Sequence, residues 1–217
     1  MARAMADESD RADGGTVLVR VPGERPQRAD ARRNQEKLVS AARDIFAKYG
    51  GEASMEAIAR QGGVGVGTLY RHFPTRVDVV EALYRSDVDV LVAAADDALA
   101  ERDPWAGLAG WLEAYVGYSM GKKTLLNELH EAFAKNPELK LASRERIVGA
   151  FSPVLVRAQQ AQLVRDDVDA NDVMTLIGTM CMAATLTEPQ ARRLLRMVLD
   201  GLRPRVHWSA SGPSAAS

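Results

Sequence analysis

Apolar residues return along most of this chain at steps of three and four, the spacing that lines one side of an α-helix. Leu38, Ala42, Ile45 and Tyr49, widened by Phe46, predict a helix over residues 31–49, with Asp30 placed to cap its start and Gly50 and Gly51 to end it. Ser54 is set to cap a short helix over 55–61, which Gly62 and Gly63 interrupt. A third short helix over 66–73 stops at Pro74. Thr75 then caps a long one, striped by Val77, Val80, Tyr84, Val88, Leu91, Ala95 and Ala98. Pro104 opens the next helix, carrying Leu108, Trp111, Leu112, Tyr115 and Tyr118, and further helices are predicted over 124–135, 137–163, 171–185 and 189–202. No two alternating apolar-polar runs stand side by side, and residues 16–21 are too short and isolated to seed a sheet, so the chain reads as all-α. Residues 1–29 show no sustained periodicity and read as a flexible arm. The Ser-, Pro- and Ala-rich residues 204–217 read as a flexible tail.

Composition narrows the class. The 217 residues are 47% hydrophobic and 26% charged, as in a soluble globular protein of one or two domains. No apolar run approaches a membrane span, and Arg20 cuts the apolar residues 17–19, which argues against a secretory leader. The single cysteine, Cys181, excludes an intrachain disulfide framework and a Cys-rich zinc site. Together these features point to the cytoplasm. The formal net charge of −1 conceals an asymmetry: residues 25–76 hold ten Lys/Arg against five Asp/Glu, a net +5, which leaves −6 for the remainder. A basic N-terminal segment on an acidic remainder suits contact with a polyanion by one part of the chain alone.

The segment with a chemical signature is residues 55–73: two short helices around a glycine-bearing break, the helix-turn-helix pattern. Ile58, Ala59, Val64, Leu69 and Phe73 are the apolar positions that would lock the two helices together. With Leu69 and Phe73 inward, a step of about 100° per residue turns Gly67 and Arg71 outward, with Thr68 and Tyr70 flanking. Gly67 costs helix stability, and close approach of the backbone to a phosphate or base edge is a reason to keep it. A plain α-hairpin with a solvated outer face is the competing reading of the same pattern.

The run Gly67-Thr68-Leu69-Tyr70-Arg71-His72-Phe73, with Ser54 to Ala59, Gly63-Val64 and Arg76 beyond Pro74, resembles the DNA-binding domain of TetR-family transcriptional regulators over about residues 32–84. The resemblance implies a three-helix DNA-binding domain at 30–76 and a larger helical ligand-binding and dimerisation domain at 77–203. It implies a homodimer on a palindromic double-stranded operator and a repressor released by a small apolar or amphipathic effector; the residues themselves call for no cofactor, metal or membrane partner. Position by position, it implies Gly65, Val66, Thr68 and Arg71 near base edges and Tyr70, His72 and Arg76 on phosphates, with Ser54 and Gly67 in the same interface. Arg71 has the fork geometry for guanine, and Tyr70 and His72 can donate to phosphate oxygens. Ideal geometry turns Val66 toward the core. The chain departs from the family pattern at Gly65, where a capping serine is usual, at Gly63, which replaces a common alanine, and at Arg76, which replaces a common lysine.

In the second half, the resemblance implies a pocket with Trp111, Tyr115, Glu128, His130, Phe133, Phe151 and Met174 as candidates, of which Glu128, His130 and Tyr115 carry the polar contacts. Val173, Leu176, Ile177, Met180 and Ala184 stripe one of the last two helices, and Ala191, Leu195, Val198 and Leu202 the other, so these are the expected dimer contacts of a four-helix bundle. Rival readings are a serine hydrolase and a protein-interaction module with a degenerate helix-turn-helix. The first rests on Gly117-Tyr118-Ser119-Met120-Gly121, with Glu128, Glu131 or Asp200 and then His207 to complete a triad. A nucleophile elbow needs a preceding buried strand, whereas this stretch reads as helix. Gly63 to Gly67 lacks the spacing of a dinucleotide loop, and His130-Glu131 lacks the second histidine of a zinc helix.

Overall fold

A computed structural model describes the backbone of residues 24–204 and the side chains of residues 30–204. Among the described residues there are nine α-helices and no strand: α1 (Glu24–Tyr49), α2 (Met55–Gln61), α3 (Val66–His72), α4 (Arg76–Ala100), α5 (Pro104–Gly121), α6 (Leu126–Lys135), α7 (Pro137–Gln160), α8 (Ala170–Cys181) and α9 (Glu188–Leu202). No helix among them is long and apolar enough to cross a membrane. Residues 24–29, expected in the flexible arm, form the first turns of α1; the rest of the arm, residues 1–23, and the tail beyond residue 204 lie outside the described residues.

Capping works at Ser54 and Thr75 as the sequence predicts, and also at Asp103, where the sequence marks only the following Pro104. Ser54 accepts from the Ala57 amide at 3.1 Å, Asp103 accepts from Trp105 at 2.9 Å, and Thr75 forms a reciprocal capping box with Asp78. Asp30 does not cap α1. That helix begins at Glu24, and the Asp30 carboxylate instead pairs with Arg33 one turn on. The added turns, residues 24–30, read Glu-Arg-Pro-Gln-Arg-Ala-Asp in the sequence, so no apolar stripe announces them. At the other end of the chain, α7 stops at Gln160, short of the expected 163, because Gln162 takes a left-handed φ of 57° and the Leu163 amide returns to the Ala158 carbonyl at 3.0 Å. Helix α8 stops at Cys181, leaving Ala184 beyond its end.

Helix α4 is the axle of the fold. Val80 and Leu83 with Tyr84, Val88, Leu91, Ala95 and Ala98 are all buried along it, and it packs against α1, α5, α6 and α7. Val77, expected in this stripe, is only half-buried, and Val79 takes the interior position. Lys123 fastens the loop after α8 by donating to the carbonyls of Ala183 and Leu186 at 2.6 and 3.1 Å. Arg157 of α7 donates to the carbonyls of Ala98 and Glu101 at 3.3 and 2.5 Å, placing a cation on the negative end of α4.

Helix α5 folds back on α4 at Gly107. A β-carbon there would lie 2.3 Å from the Ala98 carbonyl oxygen, a backbone atom that cannot swing aside. Gly107→Ala therefore forces the two helices apart and is expected to cost about 1–3 kcal/mol, read as a lower urea midpoint with an unchanged slope.

Candidate nucleic-acid interface

The turn between α2 and α3 is a Schellman closure: Gly63 has φ +65°, its amide donates to the Arg60 carbonyl at 3.2 Å, and the Val64 amide donates to Ala59 at 3.0 Å. The glycine that departs from the family pattern thus supplies the left-handed residue that ends α2. Ile58, Ala59, Leu69 and Phe73 are buried between the two helices, and Val64 packs against them, as the helix-turn-helix pattern requires. Helix α3 then starts from Gly65 with no side-chain cap; the Gly65 carbonyl accepts from Thr68 and Leu69 at 2.9 and 3.1 Å.

With Leu69 pinned inward, the outer face of α3 carries Val66, Gly67, Tyr70 and Arg71. Val66 is 40% exposed, so the inward turn expected from ideal geometry does not occur. A methyl group at Gly67 would meet nothing within 4 Å, so packing within the chain does not demand glycine there. Arg71 folds back along its own helix, its Nε donating to the Gly67 carbonyl at 3.2 Å and its Nη2 to Thr68 Oγ1 at 3.3 Å. Tyr70 makes a long contact of 3.5 Å to Glu56, and His72 lies half-buried with its ring 6.3 Å from that of Phe73. No Asp or Glu occurs between Glu56 and Asp78, so this face combines basic and neutral donors without a repelling carboxylate of its own. Ser54 uses its hydroxyl in the cap of α2.

Arg76 stands apart from this group. Its guanidinium is directed into the molecule, donating to Glu128 at 2.7 Å, to the carbonyls of Gly51 at 3.2 Å and Gly50 at 3.4 Å, and to Ala53, while lying 4.7 Å above the Phe46 ring. Both side chains of the ion pair are mostly shielded, at 24% and 18% exposure. A phosphate contact would have to break this set, so the role expected for Arg76 is replaced by one in joining α1, α4 and α6. A second pair on the same two helices, Lys135 to Asp78 at 2.5 Å, holds the Asp78 carboxyl below the usual carboxylate range. Its contribution is present above the ordinary aspartate range and fades as pH falls toward the depressed value.

The remaining candidates are distributed differently from expectation. Trp111, Phe151 and Met174 are almost fully buried as packed core, with Trp111 stacked 4.7 Å from Phe151 and 5.8 Å from Tyr115. The Tyr115 hydroxyl donates to the Met174 carbonyl at 3.3 Å. Glu128 is taken by Arg76, His130 points to solvent, and Phe133 sits edge-on to Tyr84 at 5.4 Å. These seven do not come together as a lined pocket. The expected dimer stripes also turn inward: Val173, Ile177, Leu195 and Leu202 are buried in their own subunit, Met180 and Val198 pack half-buried against that core, and Ala184 lies in the loop. The helix faces left uncovered carry Leu176 at 56% and Met197 at 67% exposure. Ser119 is buried in the last turns of α5 with no strand before it, so the elbow geometry of a hydrolase is not formed; His207 lies outside the described residues.

A short helix, a left-handed glycine turn and a second short helix with a bare outer face, set on an all-helical body, define a helix-turn-helix protein of the bacterial regulator type. Residues 38–83 match the family model described as bacterial regulatory proteins, tetR family, and residues 103–204 match that of the transcriptional regulator SbtR-like C-terminal domain. The chain belongs to the TetR family of transcriptional regulators, which are not enzymes. It is similar to a TetR transcriptional regulator of known structure from Streptomyces coelicolor, with 34% identity over 78% of this chain and 98% of that one and a TM-score of 0.69. A TetR transcription regulatory protein from Mycobacterium vanbaalenii is 31% identical over 82% of this chain and 100% of that one, with a TM-score of 0.60. An HTH-type transcriptional regulator of Staphylococcus aureus is 36% identical over 85 residues, which is 38% of this chain and 44% of the relative. The chain thus spans less than half the length of the curated relatives it matches.

Because Arg76 satisfies three carbonyls and a shielded carboxylate, Arg76→Ala is expected to destabilise the fold by about 2–3 kcal/mol, and by less in a Glu128→Ala background. The salt slope of DNA binding should stay the same; a drop of roughly two per dimer would return Arg76 to the phosphates.

Proposed function

We propose that the chain is a sequence-specific DNA-binding repressor that acts as a homodimer and leaves its operator when a small apolar or amphipathic effector binds. The observation that carries the reading is the outer face of α3, where Val66, Gly67, Tyr70 and Arg71 are exposed while Leu69 and Phe73 fix the helix from behind. Val66, Thr68 and Arg71 read base edges, Gly65 and Gly67 allow the backbone close to the duplex, and Tyr70 and His72 hold phosphates. Residues 30–76 form the DNA-binding unit and residues 77–203 the effector and dimerisation unit, with α4 shared between them.

Selection of bound fragments from the source genome tests the reading directly. Recovery of a palindromic sequence supports it; uniform, sequence-independent recovery or none defeats it. On the recovered operator, Arg71→Ala is expected to cost about 1–3 kcal/mol per half-site and to relax preference at one guanine position. Equal loss on every operator variant would leave Arg71 a phosphate contact only.

The dimer draws support from the exposed apolar side chains that α8 and α9 leave uncovered, Leu176 and Met197. Leu176 belongs to the expected stripe of α8, whereas Met197 takes the place of the inward-facing stripe of α9, as contacts of a four-helix bundle. Met197→Glu places a carboxylate in that interface and is expected to give helical monomers with operator affinity lowered by orders of magnitude, since one half-site offers part of the contacts. A Met197→Glu protein that stays dimeric by light scattering puts the interface on another surface.

A further inference from the structure

Between α1, α4 and the end of α5 lie two adjoining hollows of about 400 and 510 Å³ that share Arg43, Asp87, Gly117 and Gly121. The walls of the first are chiefly apolar, from Phe46, Val80, Leu83, Met120, Leu125 and Leu129. Four charged residues line it. Arg43 is paired with Asp87 at 2.6 Å and Glu188 with Arg192 at 2.7 Å, which leaves Lys122. Its ammonium group lies 3.8 Å from the centre of the Tyr118 ring and 5.2 Å from that of Tyr84, and it has no hydrogen bond or ion pair among the described residues. A cation shielded from water without a counter-ion is held at a cost. Here that cost appears as an ammonium pushed down to about 8, chiefly by burial, with Lys140 adding to the effect and Asp87 and Cys181 opposing it. The adjoining Tyr118 hydroxyl is the one buried side-chain oxygen among the described residues without a hydrogen-bond partner, and burial raises its pKa strongly.

We propose that these hollows are the effector site, that the effector is a small apolar monocarboxylate, and that Lys122 is its counter-ion. The assignment rests on the regulator reading for its consequence, and it moves the effector away from the packed aromatic core to the seam between the two units. One unpaired cation calls for one negative charge. The apolar walls call for a hydrocarbon or aromatic body, and the combined space suits a small organic acid. A cationic ligand would meet Lys122 as a like charge, with the nearby carboxylates already neutralised. Arg43, Phe46 and Ala47 of α1 form one wall, and the Phe46 ring carries the Arg76 guanidinium on its face. An acid lodged here therefore touches the DNA-binding unit and the body at once, so its binding changes how α1 sits on α4.

The test uses the intact protein without DNA and compares phenylacetate, hexanoate and benzoate with phenylacetamide and phenethylamine by titration calorimetry. At least one of the three acids is expected to bind, at least about tenfold more tightly than the neutral and cationic probes. Lys122→Met should abolish the preference for the acid, and Lys122→Arg should keep it. Gly117→Leu leaves Lys122 in place but puts a side chain into the shared space, where a β-carbon now meets nothing within 4 Å, and should block binding. The proposal is overturned if none of the three acids binds, if acid and amide bind alike, or if Lys122→Met keeps the preference. Because no DNA is present, a failed fragment selection would remove the regulator reading and leave this result standing, whereas a failed titration would remove the site and leave the DNA reading intact.

Discussion

The guanidinium of Arg76 sits where three parts of the chain would otherwise meet with unfavourable electrostatics. It lies in the first turn of α4, where the helix dipole disfavours a cation, yet it faces the carbonyls of Gly50, Gly51 and Ala53 beyond the end of α1 and the Glu128 carboxylate of α6. One planar group with several donors can satisfy all of these together, which a lysine ammonium on a flexible stem cannot do in the same geometry. The orientation of α1 and the helix-turn-helix relative to α4 is therefore set by a polar junction, reinforced by Arg43 to Asp87 at 2.6 Å further along the same two helices. Apolar packing alone would permit sliding; these directional bonds fix the register.

This junction makes the boundary between the two units physical rather than sequential. Helix α4 serves as the fourth wall of the DNA-binding unit through Val80 and Leu83 and as the floor of the body through Val88, Leu91, Ala95 and Ala98. Its N-terminal turn is gripped by α6 through Glu128 and Lys135. Any change in α6 or at the seam with α1 is thus delivered to the base of the helix that orients the recognition element.

The helices and their caps were legible because short-range rules act on them. Ser54 and Thr75 cap where a hydroxyl precedes an apolar stripe, and Gly63 stands where a left-handed residue must. The fold and the helix-turn-helix face followed from these. The start of α1 was hidden because residues 24–30 carry no apolar stripe. Periodicity showed that Val173, Ile177 and Leu195 share a buried side, but it cannot tell whether a partner or the subunit itself covers them. Arg76 and Lys122 were the least legible. Arg76 after a proline turn reads as a phosphate contact and Lys122 in a Lys-Lys pair after a glycine carries no signal of its own, and only the three-dimensional placement of Glu128, Phe46 and Tyr118 gives either one its environment.

The shallow anchoring of α3 has a consequence for local opening. A seven-residue helix whose buried anchors are Leu69 and the capping Phe73, begun at an uncapped glycine and containing another, has few contacts to lose when its amides open. The middle of α4 is enclosed by neighbouring helices and exchanges its amide hydrogens only when much of the structure unfolds. Protection from hydrogen exchange should therefore fall steeply over the few residues from α4 back to α3.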